Sequence, residues 1–196
     1  MPKKLQTRER LLDRGLELLL TQGFSATGVA EVTAAAGVPK GSFYNYFPSK
    51  DDFALAVLDR YQVEACREMS SVLRGQGSPL ERLRKWVAAS RERMADRRFQ
   101  VGCLAGRLAQ ELAGEQPAFR APLEEAFLCM QSHLELLLRE AREKGEIPSD
   151  LDIEAVAEFI LNAWQGAAQR AKAAHTAQPL ENFERLLFER ILRSSD

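Results

Sequence analysis

Apolar residues recur at intervals of three and four along nearly the whole chain, and no stretch alternates apolar and polar residues as a half-buried strand would. The expected fold is therefore all-α, with about nine helices. The first, Thr7 to Gln22, carries a broad apolar face of Leu11, Leu12, Leu16, Leu18, Leu19 and Leu20, and Gly23 stops it. From Gly28 to Ala36, Val29, Val32 and Ala36 give one buried face on a short helix, which Gly37 ends in the left-handed conformation helix C-termini favour. Val38 fills the turn. Pro39 suits the first position of another short helix, to about Tyr46, in which Phe43 and Phe47, four apart, are the inward anchors.

Pro48 breaks that helix and Ser49 caps the next, with Asp51 and Asp52 where the helix dipole favours negative charge. A long helix follows to about Arg74, carrying Phe53, Ala54, Val57, Leu58, Tyr61 and Met69. Ser78, Pro79 and Glu81 supply cap, first-turn proline and capping-box acid for a helix to about Ala95, which buries Leu80, Leu83, Trp86, Val87 and Met94. After the polar connector DRRFQVG come helices at Cys103 to Leu112, about Phe119 to Lys144, about Ile153 to Ala174 and about Leu180 to Arg193.

The two short helices carry the chemistry. With Phe43 and Phe47 turned inward, Lys40, Gly41, Ser42, Tyr44, Asn45 and Tyr46 face outward around a helix N-terminus. A helix-turn-helix places such residues on base edges in the DNA major groove, and unpaired N–H groups there attract phosphate. Gly41 allows close backbone approach, Ser42 donates or accepts, Tyr44 and Tyr46 reach phosphate oxygens, and Lys50 adds a cation. Spacing alone leaves open a small helical hairpin whose aromatics are simply core.

Charge sharpens the picture. Residues 1 to 50 carry seven Lys and Arg against four acids, a net +3, which leaves −4 for the remainder of a chain whose total is −1. A basic head on an acidic body suits a DNA-binding domain joined to a non-binding one. Lys3, Lys4, Arg8 and Arg10 add possible phosphate contacts from a loose N-terminal arm, with a solvated terminus as the alternative. The 45% hydrophobic content suits a soluble globular protein with a sizeable core. No apolar run nears the ~20 residues of a membrane span and no signal-peptide core precedes the first helix, so a cytoplasmic location is expected. Cys66, Cys103 and Cys129 are odd in number and widely spaced, which suggests neither a disulfide framework nor a zinc site, and with His133 and His175 they form no metal-ligand pattern. No cofactor is implied. Without a Gly-rich phosphate loop, nucleophile elbow or paired-histidine motif, an enzyme built on Cys103 has one cysteine in its favour.

The run GFSATGVAEVTAAAGVPKGSFYNYFPSKDDF, with its string of Gly37, Val38, Gly41, Phe43, Tyr44, Phe47, Ser49 and Lys50, closely resembles the DNA-binding signature of the TetR family of bacterial repressors. The resemblance implies a helix-turn-helix DNA-binding domain at 1–50 and a helical regulatory and dimerisation domain at 51–196. It matches Thr27, Lys40, Gly41, Ser42, Tyr44, Tyr46 and Lys50 to positions that touch DNA, with Asn45 and Tyr46 in the part that varies between members. The partner it implies is double-stranded operator DNA, bound by a two-fold dimer whose half-sites lie ~34 Å apart.

The last two helices, about 153–174 and 180–193, are the expected dimerisation elements, with ordinary monomer core as the alternative. Ala163, Gly166, Ala167, Ala168 and Ala171 permit close approach, and by family resemblance these helices form a four-helix bundle with their symmetry mates. Trp86, Phe99, Phe127, Phe159 and Trp164 are candidate walls of a cavity for an apolar inducer, and equally plain core. His133, on a largely apolar helix, reads as a satisfied core histidine. Cys103 follows Gly102 at a helix start, where unpaired N–H groups stabilise a thiolate, and Arg97, Arg98 and Arg107 are close in sequence; a buried, inert cysteine is the alternative.

The segments VGCLAGRLAQEL and GAAQRAKAAHTAQPLENF resemble parts of NemR-like repressors, TetR-family members that respond to quinones, aldehydes, N-ethylmaleimide and reactive chlorine. By that resemblance Cys103 is the sensing cysteine and Lys172 a lysine that assists it. The expected mechanism is a reduced dimer that blocks transcription and lets go when Cys103 is modified. Three other readings stand beside it: reversible binding of an apolar small molecule, a thiol-dependent enzyme, and an architectural DNA-binding protein without a ligand.

Overall fold

A computed structural model describes residues 3–193, with the side chain of Lys3 outside the description. Among the described residues there is no strand, and eight α-helices follow in order: α1 Lys3–Ala26, α2 Val29–Ala35, α3 Lys50–Leu73, α4 Pro79–Asp96, α5 Leu104–Leu112, α6 Arg120–Glu143, α7 Ile153–Ala174 and α8 Gln178–Leu186. A 3-10 helix, Lys40–Asn45, lies between α2 and α3 and completes the expected nine. No helix among the described residues is long and apolar enough to cross a membrane.

The chain divides into two compact units. One takes in residues through Glu64 together with Cys103–Ala126; the other holds Ala65–Gly102 and Phe127 onward. The first unit has α1 as its spine. Leu11, Leu12 and Leu19 are buried there, each contributing about 1.5–3 kcal/mol by leaving water. Gly15, in the middle of α1, lies against Phe53 so closely that an added Cβ would stand 2.1 Å from the ring's Cζ. Gly23 kinks the helix at φ 84°, and one further turn runs to Ala26. Arg60 of α3 ties this spine down through Glu9 at 2.9 Å, Asp13 at 2.5 Å and Glu64 at 3.3 Å. Burial pulls the Arg60 guanidinium toward deprotonation, but the Glu64 hydrogen bond and the charges of Asp13, Glu64 and Glu9 outweigh it and hold its pKa above the usual value.

The second unit packs α4, α6, α7 and α8 around Leu83, Val87, Leu134, Leu138, Ala157 and Leu180. The start of α4 is a full capping box: Ser78 Oγ accepts from the Glu81 N–H and the Glu81 carboxylate accepts from the Ser78 N–H. Arg82 is buried. Its guanidinium donates to the Leu73 carbonyl at 2.6 Å and pairs with Glu140 of α6 at 2.6 Å.

Four expectations are corrected. The helix from Pro39 to Tyr46 is a 3-10 helix of six residues, closed by i→i+3 bonds from the Ser42 N–H to the Pro39 carbonyl and from the Tyr46 N–H to the Phe43 carbonyl. The final helix turns π-helical at Leu187–Ile191, and the widened turn keeps Leu187, Phe188 and Leu192 all buried. The basic N-terminal arm is not loose: α1 reaches back to Lys3, so Lys4, Arg8 and Arg10 are helical, while the Lys3 side chain lies outside the described residues. Cys66 and Cys129 are disulfide-bonded, because α3 and α6 bring their Cα atoms to 6.7 Å across a separation of 63 residues that sequence spacing could not reveal.

Candidate DNA interface and thiol site

The reading head is built by ring packing. Phe43, Phe47 and Phe53 are buried, with ring centres 5.0–5.5 Å apart, so the exposed side of the 3-10 helix is set from beneath by three aromatic rings. On the outer side Lys40, Gly41, Tyr44 and Asn45 are exposed, and Ser42 and Tyr46 are half-buried. A Cβ added at Gly41 would meet nothing within 4 Å, and its backbone has no left-handed strain. Neither packing nor φ demands a glycine there.

The turn before this helix closes in the manner of a helix C-terminal cap. Gly37 has φ 65°, and the Val38 N–H donates to the Thr33 carbonyl at 2.9 Å. Thr27 is placed differently from its neighbours in the predicted set. Its side chain is buried and its hydroxyl donates to the Gly23 carbonyl at 2.6 Å, joining the kink of α1 to the approach of α2. Ser49 caps α3, its Oγ accepting from the Asp52 N–H at 3.0 Å. Lys50 begins that helix with its ammonium 4.1 Å from the centre of the Phe24 ring.

Beside the 3-10 helix, Lys4, Leu5 and Arg8 of α1 and Asn45 and Tyr46 line an open groove of about 440 Å³. Sequence reading named Lys4 and Arg8 only as an arm. The helical period of α1 is what puts both on the side facing Tyr46.

Cys103 is a free thiol, half-buried, at the N-cap of α5, and its carbonyl accepts from the Arg107 N–H at 3.1 Å. Helix α5 belongs to the same unit as the head, and its polar face grips the end of α1. Arg107 donates to the Leu20 carbonyl at 3.4 Å and pairs with Glu111 at 3.4 Å, and Glu111 accepts from the Ser25 N–H at 2.9 Å. A Cβ at Gly23 would stand 2.0 Å from the Glu111 carboxylate, so this glycine serves both the kink and the contact. Sequence reading missed Glu111 entirely, since its partner is 86 residues away.

The remaining sensing candidates lie in the second unit. Lys172 is half-buried in the last turn of α7. Trp86, Trp164 and Phe183 form a chain of rings, 5.8 and 5.6 Å between centres, and Phe99 and Phe127 pack against the same core. Phe159 is corrected as a cavity wall: it is 49% exposed, because the helical period of α7 puts it opposite Ala157, Ile160, Leu161 and Trp164. His133 is half-buried, with Nδ1 2.7 Å from the Cys129 carbonyl, and it joins Cys66 and Cys129 in a cluster whose ligand-type atoms lie within 4.8 Å of one another. That corrects the expectation that these side chains form no such cluster.

Comparison with known proteins agrees with this architecture. Residues 11–57 match the family described as bacterial regulatory proteins, tetR family, and residues 79–187 match the family described as Tetracyclin repressor-like, C-terminal domain. The chain is 40% identical to the transcriptional regulator AcuR of Cereibacter sphaeroides, over 94% of this chain and 84% of that one. It is 34% identical to the HTH-type transcriptional repressor DhaR of a Mycobacterium species, over 96% and 94%. The crystal structure of the reduced form of NemR from Escherichia coli superposes with a TM-score of 0.85 at 27% identity, covering 96% of this chain and 98% of that one. With a matched head, a matched body and relatives that are regulators along nearly their whole length, the chain belongs to the TetR family of transcriptional regulators and is not an enzyme.

Proposed function

We propose that this regulator is an operator-binding repressor released by covalent modification of Cys103. Its reading set is Lys40, Gly41, Ser42, Tyr44, Asn45, Tyr46 and Lys50, with Lys4 and Arg8 on phosphates and Thr27 holding the start of α2. Repression needs a two-fold dimer. Support for α7 and α8 as its elements comes from exposed Phe159 and Leu186, and from Ala163 and Gly166 on the same face of α7 as Phe159. The protein acts in the cytoplasm, where operator DNA lies.

The observation that carries the reading is that Cys103 occupies the N-cap position of the helix whose Glu111 accepts from the Ser25 N–H, at the end of α1 and ahead of the helix-turn-helix. A maleimide or quinone adduct adds bulk at the N-cap, α5 shifts, and the Glu111 contact with the kink of α1 goes with it. The thiolate attacks the electrophilic carbon, a carbon–sulfur bond forms, and the neighbouring carbon takes a proton from solvent. The assisting role assigned to Lys172 rests on the NemR-like resemblance of its segment. A ligand that moves the equilibrium must favour the released state, and an adduct too bulky for the intact N-cap does so. The test is an operator-driven reporter in cells given sublethal N-ethylmaleimide: expression rises with the wild type and stays repressed with Cys103→Ser. An equal response in both discards Cys103 as the sensor.

A second reading draws on the ring chain of Trp86, Trp164 and Phe183, with Phe99 and Phe127 beside it. These rings suit reversible binding of an apolar inducer, and tryptophan fluorescence quenching by such a compound, with release of DNA from thiol-blocked protein, would favour it.

A further inference from the structure

Cys66 on α3 and Cys129 on α6 meet in the second unit, and His133 lies one turn after Cys129 on the same face of α6. The three side chains are half-buried, and their ligand-type atoms lie within 4.8 Å of one another. We propose that in the dithiol state Cys66, Cys129 and His133 form a binding site for a soft divalent cation, zinc being the fitting one. This goes beyond the reading of Cys103 and does not depend on it.

The geometry is right for one ion. Zinc at ~2.3 Å from each sulfur and ~2.0–2.1 Å from nitrogen in a tetrahedral site holds its ligands roughly 3.5–3.8 Å apart, inside the spread seen here. The histidine is prepared for it. Nδ1–H donates to the Cys129 carbonyl at 2.7 Å, which fixes the tautomer and leaves the Nε2 lone pair for metal. Two sulfurs and one imidazole nitrogen select zinc over magnesium or calcium, and three protein ligands leave the fourth position to water.

The disulfide is the oxidised, metal-free state of the same pair. Two electrons and two protons from a phosphine and water break the S–S bond to two thiols, the phosphine becoming its oxide. Zinc then displaces both thiol protons and forms two Zn–S bonds. A hydroperoxide with two protons from solvent reverses this: its O–O bond breaks, the two thiolates give up two electrons as the S–S bond forms, and zinc, an alcohol and water are released.

The experiment uses full-length protein in a Cys103→Ser background, reduced with a phosphine, desalted under argon, and titrated with Zn(II) against a chromophoric chelator and with Co(II). The expected result is one equivalent per chain and the thiolate charge-transfer band of four-coordinate Co(II). Cys66→Ser and Cys129→Ser should each abolish the band, and His133→Gln should weaken binding by at least the roughly 10–100-fold that loss of an outer-shell partner costs. Peroxide before titration should remove all uptake. Uptake no greater than that of a Cys66→Ser/Cys129→Ser double variant overturns the site and leaves the pair a disulfide only. Uptake indifferent to His133→Gln overturns the assignment of the third ligand. In unsubstituted reduced protein, zinc should also protect Cys66 and Cys129 from N-ethylmaleimide by mass mapping, a readout that needs no variant to fold; full alkylation in excess zinc contradicts the proposal.

Discussion

Replacing Gly15 by alanine pits two local effects against each other, and the structure decides between them. An alanine in mid-helix is intrinsically favoured over glycine by about 0.8–1.0 kcal/mol, so helix propensity alone predicts stabilisation of α1. The new Cβ, however, would stand 2.1 Å from Cζ and 2.9 Å from Cε1 of Phe53. Phe53 is 1% exposed and packed against Phe43 at 5.3 Å and Phe47 at 5.0 Å, so its ring has no free space to swing into. Overpacking of this kind costs about 1–3 kcal/mol, and a contact this short against a rigid ring belongs at the upper end. The net expectation is a loss of about 1–2 kcal/mol, which at about 2–4 °C per kcal/mol for a chain of this size lowers the melting temperature by about 2–8 °C. Operator affinity should fall too, because Phe43 is the inward anchor of the reading helix. Differential scanning calorimetry and DNA-binding titration read both quantities. A Gly15→Ala protein that melts higher than wild type, with unchanged operator affinity, refutes the assigned role of Phe53.

Gly41→Ala should behave oppositely: its Cβ meets nothing within the protein, so thermal stability holds or rises by about 0.4–1 kcal/mol, while operator affinity drops about tenfold or more in anisotropy titrations if DNA backbone approaches there. Lys40→Ala should lower the slope of log K against log salt by about 1, with no change in helical content; an unchanged slope removes Lys40 from the phosphate contacts. Glu140 is held below the usual carboxylate range, first by its hydrogen bond from Arg82 and then by that from Lys144. A depressed folded pKa gives stability that is fully present above the unfolded value near 4.3 and is lost as pH falls through the folded value. Urea midpoints should therefore show wild type more stable than Glu140→Gln above about pH 5, with the gap closing below about pH 4; a gap independent of pH contradicts the assignment.

Local signals in the sequence were sufficient for the helix order, because each start and stop is written in adjacent residues: Ser78, Pro79 and Glu81 make a capping box whatever else the chain does. The reading head was legible for the same reason, with Gly37 and Pro39 marking its turn. What stayed hidden depends on partners far along the chain. Gly15 looks like a flaw in a helix until Phe53 is seen across from it. Glu111 is one more surface acid until Ser25 is found at its end, and Cys66 and Cys129 look like isolated core cysteines until α3 and α6 pack. Phe159 misled for a related reason: aromatic identity suggested a cavity, but its face on α7 decides.

With Cys66 and Cys129 paired, Cys103 is the free thiol, so an alkylating reagent addresses it alone. The decisive measurement is operator affinity at one fixed salt concentration, on DNA from beside this protein's own gene, before and after N-ethylmaleimide, for wild type and Cys103→Ser. Alkylated wild type should lose affinity by roughly 5–150-fold, the usual range of coupling between two sites, while Cys103→Ser binds as before. Tight binding by alkylated wild type would contradict release through Cys103.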